Sequence, residues 1–225
     1  MTSQAFHNLI FDLDGTLVDS LPGIEASTRH AMRAAGVNLP LPPMRELVGP
    51  PIATMLARLW PDLERERLDQ VVREFRRHYD AEGCLCAELY PGVAESIPAL
   101  RDAGLRLFLL TNKPLQPTLK ILGHHGLRAC FLDVMTPDAV EPPFTHKHAG
   151  AALLAERHGL HAAATLLAGD GLDDLEAATM HGFSFISADY GYGSAARSQS
   201  PKILASATSF PYICQIALGT HSTLL

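Results

Sequence analysis

Phe11-Asp12-Leu13-Asp14-Gly15-Thr16-Leu17-Val18-Asp19-Ser20 is the stretch that decides how this chain folds. It continues an apolar run, Leu9-Ile10, and ends in a turn. Side chains alternate along an extended strand, so Asp12 and Asp14 share one face. Two carboxylates so placed repel each other and need a cation or a shared proton to hold them together. Gly15 permits a turn that other residues resist, and the N–H groups beside it are positioned to cradle an anion. Alone, the stretch is equally well an acidic turn in solvent. What matters is whether other residues converge on it.

Outward from this point, residues 7–11 read as a short buried strand. Residues 20–87 then read as helical throughout. A helix from 22 to 35 is stopped by Gly36, and a connector follows, Leu39-Pro40-Leu41-Pro42-Pro43. A helical turn at 44–48 breaks at Gly49-Pro50-Pro51. Helices follow at 52–59 and 63–79, the second with Leu68, Val71, Val72 and Phe75 at helical spacing. Tyr90-Pro91-Gly92-Val93 leads into a helix ending near Gly104. Residues 105–111 are almost continuously apolar, as a strand covered on both faces should be. Strands at 131–135, 164–169 and 183–186 then alternate with helices at 117–125, 147–158 and 173–181, and 201–205 reads as an edge strand.

This alternation predicts an α/β fold: a Rossmann-like, doubly wound parallel sheet with an inserted α-helical cap. The expected division is 1–19 and 88–225 for the core and 20–87 for the cap. The linkers near Asp19-Ser20 and Glu88-Leu89 are the expected hinges, and closure would exclude water from the site.

Composition removes several function classes. A formal net charge of −6 leaves no basic footprint for nucleic acid. No apolar run approaches the roughly 20 residues of a membrane span. The first residues carry no basic segment followed by a long apolar one, so no secretory signal is expected, and the chain reads as cytoplasmic. Cys84, Cys86, Cys130 and Cys214 form no C-x-x-C pair and are too sparse for a disulfide framework. His124-His125, His146-x-His148 and His158-x-x-His161 read as helix-surface histidines rather than metal ligands. Gly191-Tyr192-Gly193-Ser194-Ala195-Ala196 fits G-x-G-x-x-A. The residues after it make a poor helix, and no acidic residue follows at the required spacing, so no dinucleotide site is expected.

In a parallel sheet, ligands sit at the carboxyl ends of the strands. There the first strand presents Asp12 and Asp14, the second Thr111 and Asn112, and the fourth Gly169-Asp170-Gly171-Leu172-Asp173-Asp174. Lys147 opens the helix between the third and fourth strands. Carboxylates hold a hard cation, and small donors with an ammonium bind phosphate oxygens.

With these motifs in these places the chain resembles the haloacid dehalogenase superfamily of phosphotransferases, over about residues 7–193. Asp12-x-Asp14-Gly15-Thr16, Thr111-Asn112 and Gly169-Asp170-x-x-x-Asp174 fit its pattern. Lys147 departs from it, being followed by His148 where relatives often have proline. The insertion is similar to a helical C1-type cap. Within the superfamily the chain most resembles the phosphoglycolate phosphatase-like group. Gly49-Pro50-Pro51-Ile52, the stretch around Tyr79 to Gly83, and Leu89-Tyr90-Pro91-Gly92-Val93 are similar to bacterial 5′-nucleotidases.

The resemblance implies the following roles. Asp12 attacks phosphorus and carries the phosphoryl group, while Asp14 protonates the leaving oxygen and then activates water. Thr111 and Lys147 bind the phosphoryl oxygens, with Lys113 as the rival cation. Gly15, Thr16, Asn112, Gly49 and Pro50 border the substrate phosphate. Mg²⁺ is held by Asp12, the Asp14 main-chain carbonyl and Asp170, and Asp174 supports the metal or orients Lys147. Read from the residues themselves, Asp19 is a structural hydrogen-bonding residue, and Asp173 is a charge favourable to a helix N-terminus. The implied partner is a small-molecule phosphate ester, and the implied state a monomer or homodimer. Other readings are a sugar-phosphate mutase or phosphonatase of the same fold and, from another class, a phosphoryl-accepting signalling module.

Overall fold

A computed structural model describes residues 6–193 and 203–219. The Leu9-Ile10-Phe11 run forms β1 (Asn8–Phe11), fully buried. Five further parallel strands join its sheet: β4 (Arg106–Leu110), β5 (Asp133–Met135), β6 (Thr165–Gly169), β7 (Ser184–Ala188) and β8 (Ile203–Ala207). Their spatial order is β5-β4-β1-β6-β7-β8. Residues 201 and 202 of the expected edge strand lie outside the described residues.

Alternation explains why these strands read as unbroken apolar runs. Leu9 and Phe11 of β1 join Leu107, Leu109, Leu166 and Ala168 on one face. Ile10 joins Phe108, Leu110, Leu167 and Phe185 on the other. The second face is covered by α6 (Lys147–His158) and α7 (Leu172–His181), through Ala151, Leu154, Ala177 and Ala178. The first is covered by α4 (Val93–Asp102), α5 (Leu115–His124) and α8 (Phe210–Ala217), through Ile97, Ile121 and Ile213. Helix α5 begins two residues before the expected start. Pro117 falls in its first turn, where a missing N–H removes no helical bond.

Between β1 and β4 the chain leaves the sheet through β2 (Val18–Asp19) and returns through β3 (Glu88–Leu89). These pair antiparallel, Val18 with Leu89 and Asp19 with Glu88. The two expected linkers are therefore one short stalk, and strands of two residues are too short to show any alternation in sequence. The segment between them holds α1 (Leu21–Ala34), α2 (Ile52–Leu59) and α3 (Arg65–Ala81). Helices α1 and α3 pack through Ile24, Ala31 and Met32 against Val71, Val72 and Phe75, at the spacing that puts side chains on one helix face. No helix among the described residues is long and apolar enough to cross a membrane.

Candidate active site

Register places the site. Phe11 is level with Leu109 of β4 and Ala168 of β6. Asp12, one residue beyond Phe11, and Thr111 and Asp170, two beyond Leu109 and Ala168, therefore leave the same edge of neighbouring strands. They do so where the strand order turns, with β4 and β5 to one side of β1 and β6 to β8 to the other.

Lys147 is buried in the first turn of α6 and crosses to β1. Its Nζ lies 2.8 Å from Asp12 Oδ1, 2.7 Å from Asp174 Oδ1 and 3.9 Å from Asp173 Oδ2. Asp174, the third residue of α7, also reaches back to the residue that caps the helix, since Gly171 N–H donates to its Oδ2 at 3.0 Å. A side chain at residue 169 would stand 2.2 Å from the Asp174 carboxyl carbon, so the glycine ending β6 is required there. Burial pushes the Asp12 carboxyl up to about 6, with Lys147 pulling the other way and Asp14 and Asp173 adding to the rise. Burial and then Asp12 push Asp170 up to about 7. Asp174 lies well above the carboxylate range for the same reason, although Lys147 opposes it. Burial would lower the Lys147 ammonium, but Asp12, Asp173 and Asp174 hold it well above its ordinary value.

Lys113 faces the second aspartate. Its Nζ is 3.1 Å from Asp14 Oδ2 and donates to the Tyr79 hydroxyl at 2.6 Å, with the same nitrogen 4.5 Å from that ring's centre. Burial opposes its charge, but Asp14 and Tyr79 raise it above the ordinary lysine value. The two rival lysines are thus divided between the two aspartates. Tyr79 brings the insertion's α3 into contact with that pair; the resemblance marks the stretch from Tyr79 to Gly83 but not its partner, Lys113.

Thr111 is buried and its hydroxyl accepts the Lys113 N–H at 3.2 Å. Asn112 Nδ2 donates to Asp173 Oδ2 at 2.5 Å and to the Gly49 carbonyl at 3.4 Å, tying strand end to insertion. Asp12, Asp14, Gly49, Pro50, Thr111, Asn112, Lys147, Asp170 and Asp174 all line one cavity of about 620 Å³. Gly15 and Thr16 do not. Their N–H groups donate within the turn, to Val18 and Leu13 carbonyls, and the Thr16 side chain is fully buried. Expected at the phosphate, they instead build the turn behind it. Gly15, at φ +82°, leaves room for Asp170: a Cβ there would stand 2.1 Å from Asp170 Oδ2. Asp19 accepts the Leu21 N–H at 3.1 Å.

Gly191 and Gly193 have the same kind of purpose. A Cβ on Gly191 would meet the Gly15 carbonyl oxygen at 2.1 Å, and one on Gly193 the Asp170 carbonyl oxygen at 2.1 Å. Tyr192 N–H, between them, donates to Asp170 Oδ2 at 2.8 Å. The glycine pattern that resembles a dinucleotide fingerprint is what lets backbone pass against Asp170. Residues 194–196 of that pattern lie outside the described residues.

Oxygens of Asp12, Asp170 and Asp174 lie within 4.8 Å of one another. Hard carboxylate oxygens so gathered, with their charge only partly balanced by Lys147, fit a divalent cation such as Mg²⁺. The Asp14 carboxylate is not in this trio and pairs with Lys113 instead.

Comparison with known proteins matches residues 9–188 to the model of the haloacid dehalogenase-like hydrolases. A phosphoglycolate phosphatase of Vibrio vulnificus is 32% identical over 200 residues, covering 85% of this chain and 87% of its own. A 5′-nucleotidase of Pseudomonas aeruginosa is 28% identical over 190 residues, covering 84% and 85%. A crystal structure described as a predicted phosphoglycolate phosphatase, from Haemophilus somnus, superposes with a TM-score of 0.82. It is 27% identical and covers 96% of this chain and 99% of its own.

Proposed function

Because the chain belongs to the haloacid dehalogenase-like hydrolase family, we propose that it is a Mg²⁺-dependent phosphatase of small phosphate monoesters, of the phosphoglycolate phosphatase or 5′-nucleotidase kind. One observation carries this reading above the rest. Asp12 and Asp14 open on one cavity, each with its own lysine, so two adjacent carboxylates have separate environments and can take separate roles.

Asp12 is the nucleophile. Lys147 occupies its Oδ1, which leaves Oδ2 to form the bond to phosphorus as the ester P–O bond breaks. Asp14, which must carry a proton at this step, gives it to the departing alkoxide, and Lys113 then faces the carboxylate that remains. It then takes one from the water that attacks the aspartyl phosphate, returning Asp12 as a carboxylate and releasing phosphate. Thr111 and Lys147 bind the phosphoryl oxygens, and Asp174 holds Lys147 in place. Asp12 and Asp170, with Asp174 and the Asp14 main-chain carbonyl beside them, would hold Mg²⁺, which neutralises the phosphate charge that Asp12 must approach. Residues 20–87 act as a cap over a core formed by 1–19 and 88–225. Arg58 of α2, also on the cavity wall, gives that cap a positive group for an acid on the far side of the substrate.

Turnover of a panel of phosphate esters with Mg²⁺ tests the reading: 2-phosphoglycolate, nucleoside monophosphates, sugar phosphates and p-nitrophenyl phosphate. Phosphate release from at least one of them is expected. No release from any, with Mg²⁺, Mn²⁺ or Co²⁺, would sink it. Isomerised rather than dephosphorylated product would point to a mutase instead.

A further inference from the structure

We propose that Tyr192 is a positioning residue that couples the orientation of the helical insertion to the Asp170 carboxylate. The inference rests on the reading of Asp170 as a metal ligand. Three parts of the molecule meet on residues 190–193.

The first is Asp170 itself, whose Oδ2 accepts the Tyr192 N–H at 2.8 Å. The flanking glycines leave no slack. A Cβ on Gly191 would stand 2.7 Å from that same oxygen, and one on Gly193 would collide with the Asp170 carbonyl. Any displacement of this backbone therefore reaches the carboxylate.

The second is the start of the insertion. The buried Tyr192 hydroxyl accepts the Ser20 N–H at 2.7 Å and the Leu21 N–H at 3.0 Å, and donates to Asp19 Oδ1 at 2.7 Å. Its proton and both lone pairs are used. The donors are the first two amides after β2, where the chain leaves the stalk. Buried N–H groups do not give up their acceptor without cost, so this junction and Tyr192 move together or the bonds break.

The third is the insertion's far side. Arg45 lies in the connector between α1 and α2. Its Nη2 donates to the Gly191 carbonyl at 2.7 Å, and its guanidinium lies 5.3 Å from the centre of the Tyr192 ring. The insertion thus grips residues 191 and 192 from two separate places, and those residues grip Asp170. A rotation of the insertion that strains either grip also turns the N–H that fixes Asp170 Oδ2. Groups that orient a metal ligand from behind commonly change metal affinity by roughly 10- to 100-fold when lost.

Substrate-free protein titrated with Mn²⁺, followed by the electron paramagnetic resonance of the free ion, tests this apart from turnover. Three variants are needed. Asp170→Asn sets the scale by removing the ligand. Tyr192→Phe keeps the ring and the main-chain N–H but removes the hydroxyl. Arg45→Ala removes the grip from the insertion without touching any carboxylate of the site.

The expected result is a roughly tenfold rise in the Mn²⁺ dissociation constant for Tyr192→Phe, with faster hydrogen exchange at the Ser20 and Leu21 amides. About a threefold rise is expected for Arg45→Ala, whose contact is partly solvent-screened. The double variant should lose less than the sum of the two, since both act through one unit. If Asp170→Asn abolishes Mn²⁺ binding while Tyr192→Phe and Arg45→Ala stay within twofold of wild type, the coupling is wrong and the metal reading stands. If Asp170→Asn itself leaves Mn²⁺ affinity unchanged, both fall.

Discussion

Asp133 and Asp12 sit at opposite ends of the same sheet, and each carboxylate meets a cation at 2.8 Å. Their environments push them in opposite directions. Asp133, at the amino end of β5, accepts from Arg157 Nη1, His158 Nε2 and the Val134 N–H. Burial works against its charge, but these donors outweigh it and hold the carboxyl below its usual value. The polar groups along that end close on one another. Arg106 donates to Asn8 Oδ1 and to the His158 carbonyl, and Asn8 Nδ2 donates to Thr165 Oγ1. The row runs from β6 through β1 and β4 to α6, each of these donors meeting an acceptor. At the carboxyl end, Asp12 shares its one lysine with Asp174. Asp14, Asp170 and Asp173 stand nearby, and Lys113 is the other lysine among them. The amino end is assembled to be stable alone, whereas the carboxyl end is left short of positive charge, as a site that receives a cation and a phosphate would be. Stability forgone at one place in favour of binding is a common trade in enzymes.

The sharpest way to break this comparison is Asp12→Asn. Loss of the nucleophile should lower phosphate release at least about a thousandfold. The same change removes a charge from a crowded, buried group of carboxylates and leaves Lys147 paired with Asp174. Metal-free Asp12→Asn should therefore melt no lower than the wild type in a thermal scan. A large fall in melting temperature would mean that the carboxyl end is as well balanced as the amino end.

Lys147→Ala tests the opposite change. It leaves Asp12 and Asp174 buried with no cation, and breaking a buried pair in this way costs about 3–5 kcal/mol. Chemical denaturation should show that loss in metal-free protein and partial recovery on adding Mg²⁺. Turnover should fall strongly as well. Near-normal turnover would move phosphate binding to Lys113 and undo the division of the lysines between the aspartates.

Much of this architecture was legible because it is local. Strands covered on both faces leave continuous apolar runs such as 105–111. A residue just past such a run lands at the carboxyl edge, which is how Asp12, Thr111 and Asp170 could be placed together from the sequence. Lys147 needed only its position at the opening of a helix. What escaped depends on pairings across the chain. Tyr192 meets Ser20 from 172 residues away, and Lys113 meets Tyr79 from 34. Nothing near either residue in sequence announces the partner. Gly15 and Thr16 failed for another reason. A turn glycine signals that backbone N–H groups are gathered, but not whether they face a ligand or, as here, the turn's own carbonyls.

The pH dependence of stability should separate the two ends. Asp12 and Asp170 titrate in the metal-free fold near 6 and 7, above the ordinary 3.8. Between those limits the folded state binds more protons than the unfolded one. Their contribution therefore falls as pH rises from about 4 to 7, by an amount on the order of a few kcal/mol. A cation bound by the ionised carboxylates reverses this. The rise in melting temperature on adding Mg²⁺ should accordingly be larger at pH 8 than at pH 5. An equal rise at both would show that ionisation of these groups is not what the metal answers.

Asp133 has the opposite sign and the smallest effect. Its folded value lies below the unfolded one, so its stabilisation is complete above the unfolded value, about 4, and is lost as pH falls through the folded one. The group is only partly buried, so Asp133→Asn should cost about 1 kcal/mol at pH 7 in urea unfolding. The difference from wild type should shrink toward zero in more acidic solution, and turnover should be unchanged because the residue lies at the far end of the sheet from the cavity. If Asp133→Asn instead impaired turnover while stability held, the amino end would be part of the site rather than the frame that lets the other end stay unbalanced.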